Sequence, residues 1–178
     1  MEPVGKTGGA IIGPFLKSST GNSYLLVVTD YFSGGWQVLE GAREGQTQVD
    51  IPHNENTAYW CHPVDIHLTT RGLQGWPKFN FQVWHQDRHS RCELWGYGLC
   101  HIPTSPGFYQ LECVTWRPLG TLQEEISRYF LGGGMQLCIP DTVYTGLDRY
   151  RFQTVAMGKV HLEISVVFRN FESFGVEY

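Results

Sequence analysis

A chain of 178 residues, 42% of them hydrophobic and 17% charged, is long enough to bury one substantial core and too apolar for extended disorder. Its net charge of −4 argues against nucleic-acid binding as the main task, which calls for a basic face. The longest apolar runs fall well short of the roughly eighteen residues a membrane-spanning helix needs.

Met1 to Phe15 lack the basic-then-apolar build of a secretory signal, and Glu2 departs from the myristoylation pattern. The closing Phe174-Gly175-Val176-Glu177-Tyr178 offers no prenylation cysteine. The five cysteines (Cys61, Cys92, Cys100, Cys113 and Cys138) are odd in number and irregularly spaced, with no CxxC pair. Reduced thiols in a cytosolic setting are expected, and no structural zinc site.

In chain order, residues 1–8 read as a loose tail and 9–178 as one domain. Tyr24 to Tyr31 has the β-branched and aromatic content of a strand, and Gly34-Gly35 marks a turn. Val64, Ile66 and Leu68 alternate with Asp65 and His67, which predicts a strand with one buried face. After turn signals at Gly72 and Gly75-Trp76-Pro77, the alternation returns with Phe79, Phe81 and Val83 inward. Pro103 to Gly107 marks another turn.

One segment breaks the period of two. Thr121 and Glu124 fit a capping box, Leu122, Ile126, Tyr129 and Phe130 share one helical face, and the triple glycine 132–134 stops the run. A short inserted helix is predicted. The longest alternation comes last: Val160, Leu162, Ile164, Val166 and Phe168 inward, and Lys159, His161, Glu163, Ser165 and Arg169 outward, with Val167 the exception. The fold class expected is all-β, an antiparallel sandwich with one short helix.

Seven histidines invite a metal site, but His62 and His67 stand five apart, unlike the usual ligand pairs. Cys61 and His62 are adjacent, so their side chains would diverge on a strand rather than form a nucleophile and base. No GxSxG elbow or phosphate-cradling loop is present, and no catalysis or cofactor is expected.

The stretch from Phe81 to Gly96 resembles the third calcium loop of C2-like domains. Its three ligand positions read His85, Asp87 and Glu93, so the first acid is replaced by imidazole, a poor partner for a hard cation that needs six to eight oxygens. A metal-free loop is expected, near neutral or slightly basic. Trp84 and Trp95 border it, and Trp84, Arg88 and Trp95 are the candidate partner-contact residues. The competing reading is that such loop-edge rings cap the core.

The runs Arg43-Glu44-Gly45-Gln46-Thr47-Gln48-Val49-Asp50, Gly72-Leu73-Gln74-Gly75-Trp76-Pro77 and Thr115-Trp116-Arg117-Pro118-Leu119-Gly120 closely resemble the B9-domain family. Asp148-Arg149-Tyr150-Arg151, Arg169-Asn170-Phe171 and Gly175-Val176-Glu177 match as well. The resemblance covers about residues 36–178; before Trp36 only Ile11-Ile12-Gly13 matches the family's usual opening strand.

It implies a C2-like, non-enzymatic domain without cofactor or metal, in the cytoplasm and cytoskeleton at the cilium base, in the basal body and transition zone. The implied partners are sister B9-domain proteins and other transition-zone subunits. Their complex is needed for cilium assembly and limits membrane-protein exchange between cilium and plasma membrane. Without the resemblance, the residues lead only to a soluble β-sandwich adaptor. The alternative reading is a calcium-independent phospholipid-binding C2-like adaptor with peripheral membrane contact.

Overall fold

The computed structural model describes residues 4–16, 23–31, 34–51, 57–87, 89–131, 136–138, 142–145 and 151–172. Among them the strands are β1 (Val4–Leu16), β2 (Ser23–Tyr31), β3 (Gln37–Gly41), β4 (Glu44–Gln46), β5 (Thr57–Ala58), β6 (His62–Thr70), β7 (Lys78–Gln86), β8 (Cys92–His101), β9 (Gly107–Pro118) and β10 (Thr154–Arg169). Helices α1 (Leu122–Leu131) and α2 (Thr142–Thr145) lie between β9 and β10 in sequence.

The strands pair antiparallel in the order β3-β6-β1-β10-β9-β8-β7-β2-β4, with β5 added on β1. The path has one narrow step. β9 pairs with β10 from Gly107 to Pro118, but with β8 only at Tyr97↔Trp116 and Gly98↔Thr115. The sheet folds over at that step, so β2 and β7 face β10 although they are not its neighbours. Leu26, Val28, Phe81 and Val83 accordingly share one buried cluster with Val160, Leu162, Ile164 and Val166. The close approach at the step is why Gly98 is glycine: a Cβ there would sit 3.0 Å from Cys113 Sγ and 3.2 Å from Thr115 Cγ2.

The alternation read from the sequence is present. Phe79, Phe81 and Val83 are buried on β7, Ile66 and Leu68 on β6, and the four inward residues from Val160 to Val166 on β10; Val167 is exposed. Val64 is half-buried against the main core. Trp76 packs its ring down, donating from Nε1 to the Ile102 carbonyl at 2.9 Å and meeting Trp36 edge-on at 5.1 Å. All five cysteines are free thiols, with Cys100 and Cys113 buried.

The stretch read as a tail over residues 1–8 overlaps β1 from Val4 onward. Residues 4–8 belong to β1, which is hydrogen-bonded on both sides, pairing Val4 with Thr70 on β6 and Gly8 with Val166 on β10. Gly5, Gly8, Gly9 and Lys6 dilute any apolar alternation there. The strand is specified by two neighbours that satisfy its backbone, not by its own pattern.

The predicted helix is present with its cap. Glu124 Oε2 accepts from Thr121 N at 2.7 Å, and Thr121 Oγ1 accepts from Glu124 N at 3.4 Å. The triple glycine lies outside the described residues. A second, smaller cluster lies outside the main core: Val143 of α2 packs over Leu94, Tyr97 and Trp116 on the outer side of β8 and β9. The Tyr97 hydroxyl helps fasten this cover by accepting from Leu137 N at 3.0 Å.

Candidate functional site

The β7–β8 loop is closed by its own aspartate. Asp87 Oδ1 accepts from the backbone N of His89 at 2.8 Å and of Arg91 at 2.9 Å, and Oδ2 accepts from Arg91 Nε at 2.8 Å. These donors, the Arg91 backbone amide foremost, hold its pKa down to about 2 against the usual 3.8. Glu93 is also engaged: its Oε1 accepts from Arg128 Nε of α1 at 2.9 Å. The His85 ring sits 5.2 Å from Trp95 and 5.5 Å from Tyr24, and burial lowers its pKa against the opposing pull of Glu93 and Asp87.

Each position that would carry a calcium ligand therefore has another task. Two carboxylates already tied to arginines and a half-buried imidazole do not make an oxygen cage for a hard cation. Among the described residues no group of three or more histidine, cysteine, aspartate or glutamate side chains is placed to hold a metal.

Asp87 yields a direct expectation for pH. Its folded pKa is depressed, so its contribution to loop order is complete above pH 3.8 and is lost as pH falls through about 2. A carboxyl NMR titration should place its midpoint near 2, and Asp87→Asn should speed amide exchange at His89 and Arg91. A midpoint at the usual value would contradict the closed loop.

The candidate contact residues divide. Trp84 does lie on the outer face of its strand, but it is covered, packing against the Leu94, Tyr97, Trp116 and Val143 cluster with Nε1 buried. Trp95 is turned to the other side. The β7–β8 register pairs Val83 with Gly96 and Trp84 with Leu94, so Trp95 is the extra, bulged residue, and its side faces the main core. There it meets Tyr24 at 6.2 Å and carries the Arg128 guanidinium over its ring at 5.3 Å. Both rings are partly buried and packed against core clusters, as the competing core-capping reading describes. Arg88 lies outside the described residues.

What this end of the sandwich does is hold α1, and it holds it by the polar side. Arg117 at the end of β9 grips Glu125 with both nitrogens, at 2.7 and 2.9 Å, while Glu93 grips Arg128. All four of these side chains are less than a third exposed. The apolar side chains turn out instead: Leu122 is 81% exposed, Tyr129 84%, Phe130 78%, Leu131 80% and Ile126 51%. A groove of about 270 Å³ runs between Trp95 and Tyr129. The sequence identified the apolar helix face; its outward direction came only from the position of Arg117 and Glu93.

Fold and site together define an antiparallel β-sandwich that presents a short helix beside the β7–β8 loop. The comparisons then place the chain: residues 18–167 match the family described as "Ciliary basal body-associated, B9 protein". The chain belongs to this family, which is non-enzymatic. It is 58% identical to B9 domain-containing protein 2 of Danio rerio over 81% of this chain and 82% of that one. It is likewise 58% identical to B9 domain-containing protein 2 of Homo sapiens, over 80% and 81%. Among solved structures, a C2 domain of plant Extended Synaptotagmin 1 is similar at 13% identity and a TM-score of 0.47, covering 95% of this chain and 98% of that one.

Proposed function

We propose that this chain is a structural subunit of the ciliary transition-zone complex, where it assembles with sister B9-domain proteins. In that role it contributes to cilium assembly and to the barrier between ciliary and plasma membranes. Membership of a basal body-associated family supports the reading, and one observation carries it furthest: a rigidly bracketed helix displays five large apolar side chains. Patches of this kind mark interaction sites. Contact at the loop end enters in reduced form, because Trp84 and Trp95 are packed and the exposed apolar surface beside them belongs to α1.

Co-expression of the full chain with each sister B9-domain protein tests the reading. A stoichiometric complex that survives gel filtration is expected, together with localisation of the tagged chain at the transition zone. A chain that binds neither sister protein but floats with phospholipid vesicles in the absence of calcium would instead be the membrane adaptor. Among the described residues no helix is long and apolar enough to cross a bilayer.

A further inference from the structure

We infer that α1 is the docking element of this domain, and that its occupant is a two-walled apolar groove on another protein subunit. This deepens the assembly reading above and rests on it, which makes the subunit a sister B9-domain protein. The helix is mounted in the reverse of the usual sense. An amphipathic surface helix normally lays its apolar stripe on the core and its charges in water. Here Glu125 and Arg128 face the sandwich, clamped by Arg117 and Glu93, and no residue of α1 is buried. Two ion pairs and the stacking of Arg128 on Trp95 fix the helix, so the apolar side chains are presented without the ordering cost of a mobile segment.

The arrangement of those side chains selects among occupants. Leu122, Ile126, Tyr129 and Phe130 stand at the i, i+4, i+7 and i+8 spacing by which a helix is read in a groove. At about 100° per residue they share an arc of roughly 100°, while Leu131 and Glu124 fall on the opposite flank. A second copy pairing face to face would cover the first arc alone. That arc offers roughly 600 Å² from four such side chains, against the ~800 Å² per partner of a standard interface. A groove with two walls covers Leu131 as well.

A lipid surface is disfavoured by charge. Interfacial helices carry lysine and arginine on the polar face, but the one cation of α1 is tied to Glu93 and the chain is net −4. Glu124 is ionised, exposed and paired with no cation among the described residues, so the wall over Leu131 should carry a basic residue.

The test compares wild type with Ile126→Gln/Phe130→Gln. Both positions are exposed and glutamine is a good helix former, so circular dichroism and melting temperature should match wild type. Affinity for the sister B9-domain protein should fall at least ~30-fold, as loss of two hot-spot side chains does. Amides 122–131 should gain hydrogen-exchange protection only in the complex. Glu124→Gln keeps the reciprocal cap while removing the charge, and should weaken binding about threefold with a flatter salt dependence.

Equal binding by wild type and the double variant overturns the inference and leaves the assembly reading standing. Failure of wild type to bind any sister protein removes both. Sedimentation showing a wild-type dimer that the double variant lacks would assign the face to a second copy. Loss of flotation with phosphatidylserine vesicles in the variant would assign it to lipid. Weak hydroxyl-radical labelling of Tyr129 and Phe130 in the isolated chain would mean that the chain covers its own helix. Each of these three results overturns the inference.

Discussion

Phe81→Ala is expected to lower the unfolding free energy by about 3–5 kcal/mol, the range for deleting a large ring from a packed core. Phe81 is 0% exposed, near the centre of β7, with Val28 of β2 opposite it on one side and Gly98 of β8 on the other. Both neighbours are held by ladder hydrogen bonds, so the strands cannot close over the vacated volume. Phe79, whose ring lies 6.0 Å away, is itself engaged in the same cluster. Denaturant unfolding should show the loss as a shifted midpoint at unchanged slope, and the melting temperature should fall by roughly 10 °C for a chain of this size. A loss below about 1 kcal/mol would be incompatible with a rigid two-layer core.

Gly41→Ala should cost about 2–4 kcal/mol, out of proportion to a single methyl group. Gly41 has φ +100, and a Cβ there would lie 2.4 Å from the Asp65 carbonyl oxygen and 2.9 Å from Ile66 Cα. Both are backbone atoms of β6, so no side-chain rotation relieves the clash; β3 must move away. Here the chain leaves one edge of the sandwich, where β3 pairs with β6, for the other, where β4 pairs with β2. Displacing β3 should also loosen Trp36, which is buried against Ile66 and Leu68, and raise amide exchange along Gln37–Gly41. Gly45 supplies the control, since nothing lies within 4 Å of its would-be Cβ and Gly45→Ala should be close to neutral. Equal costs at the two glycines would refute the argument from close approach.

The family motifs explain why kinship was legible while a site was not. In the run from Arg43 to Asp50, the Thr47 Oγ1 accepts from Leu26 N at 2.9 Å, and Asp50 bridges Tyr24, so the run stitches the β4 edge to β2. In the run from Gly72 to Pro77, the Gln74 carbonyl accepts from Trp36 Nε1 at 3.0 Å while Trp76 reaches Ile102. Phe171 is 1% exposed and stacks on Phe168 at 4.6 Å. These residues hold layers and edges together. They identify an architecture without pointing to chemistry. Arg117 is the exception, since the same motif that ends β9 also supplies the clamp on α1.

By itself the sequence determined β2, β6, β7 and β10, the inward faces of the last three, the capped helix and the family. Each of these is written in local order: a period of two, a Thr121–Glu124 reciprocity, a dense run of matching residues. Tertiary structure alone decided three other things. It put β1 between β6 and β10, because backbone pairing with two neighbours is not encoded in a glycine-rich strand's own pattern. It turned Trp84 and Trp95 to opposite sides, because one bulged residue inverts every inward–outward assignment beyond it. And it faced the apolar side of α1 to solvent, because its direction is set by Arg117 and Glu93, charges 8 and 35 residues away in sequence from their partners. A helix's periodicity says which residues share a face; only the groups it meets say where that face points.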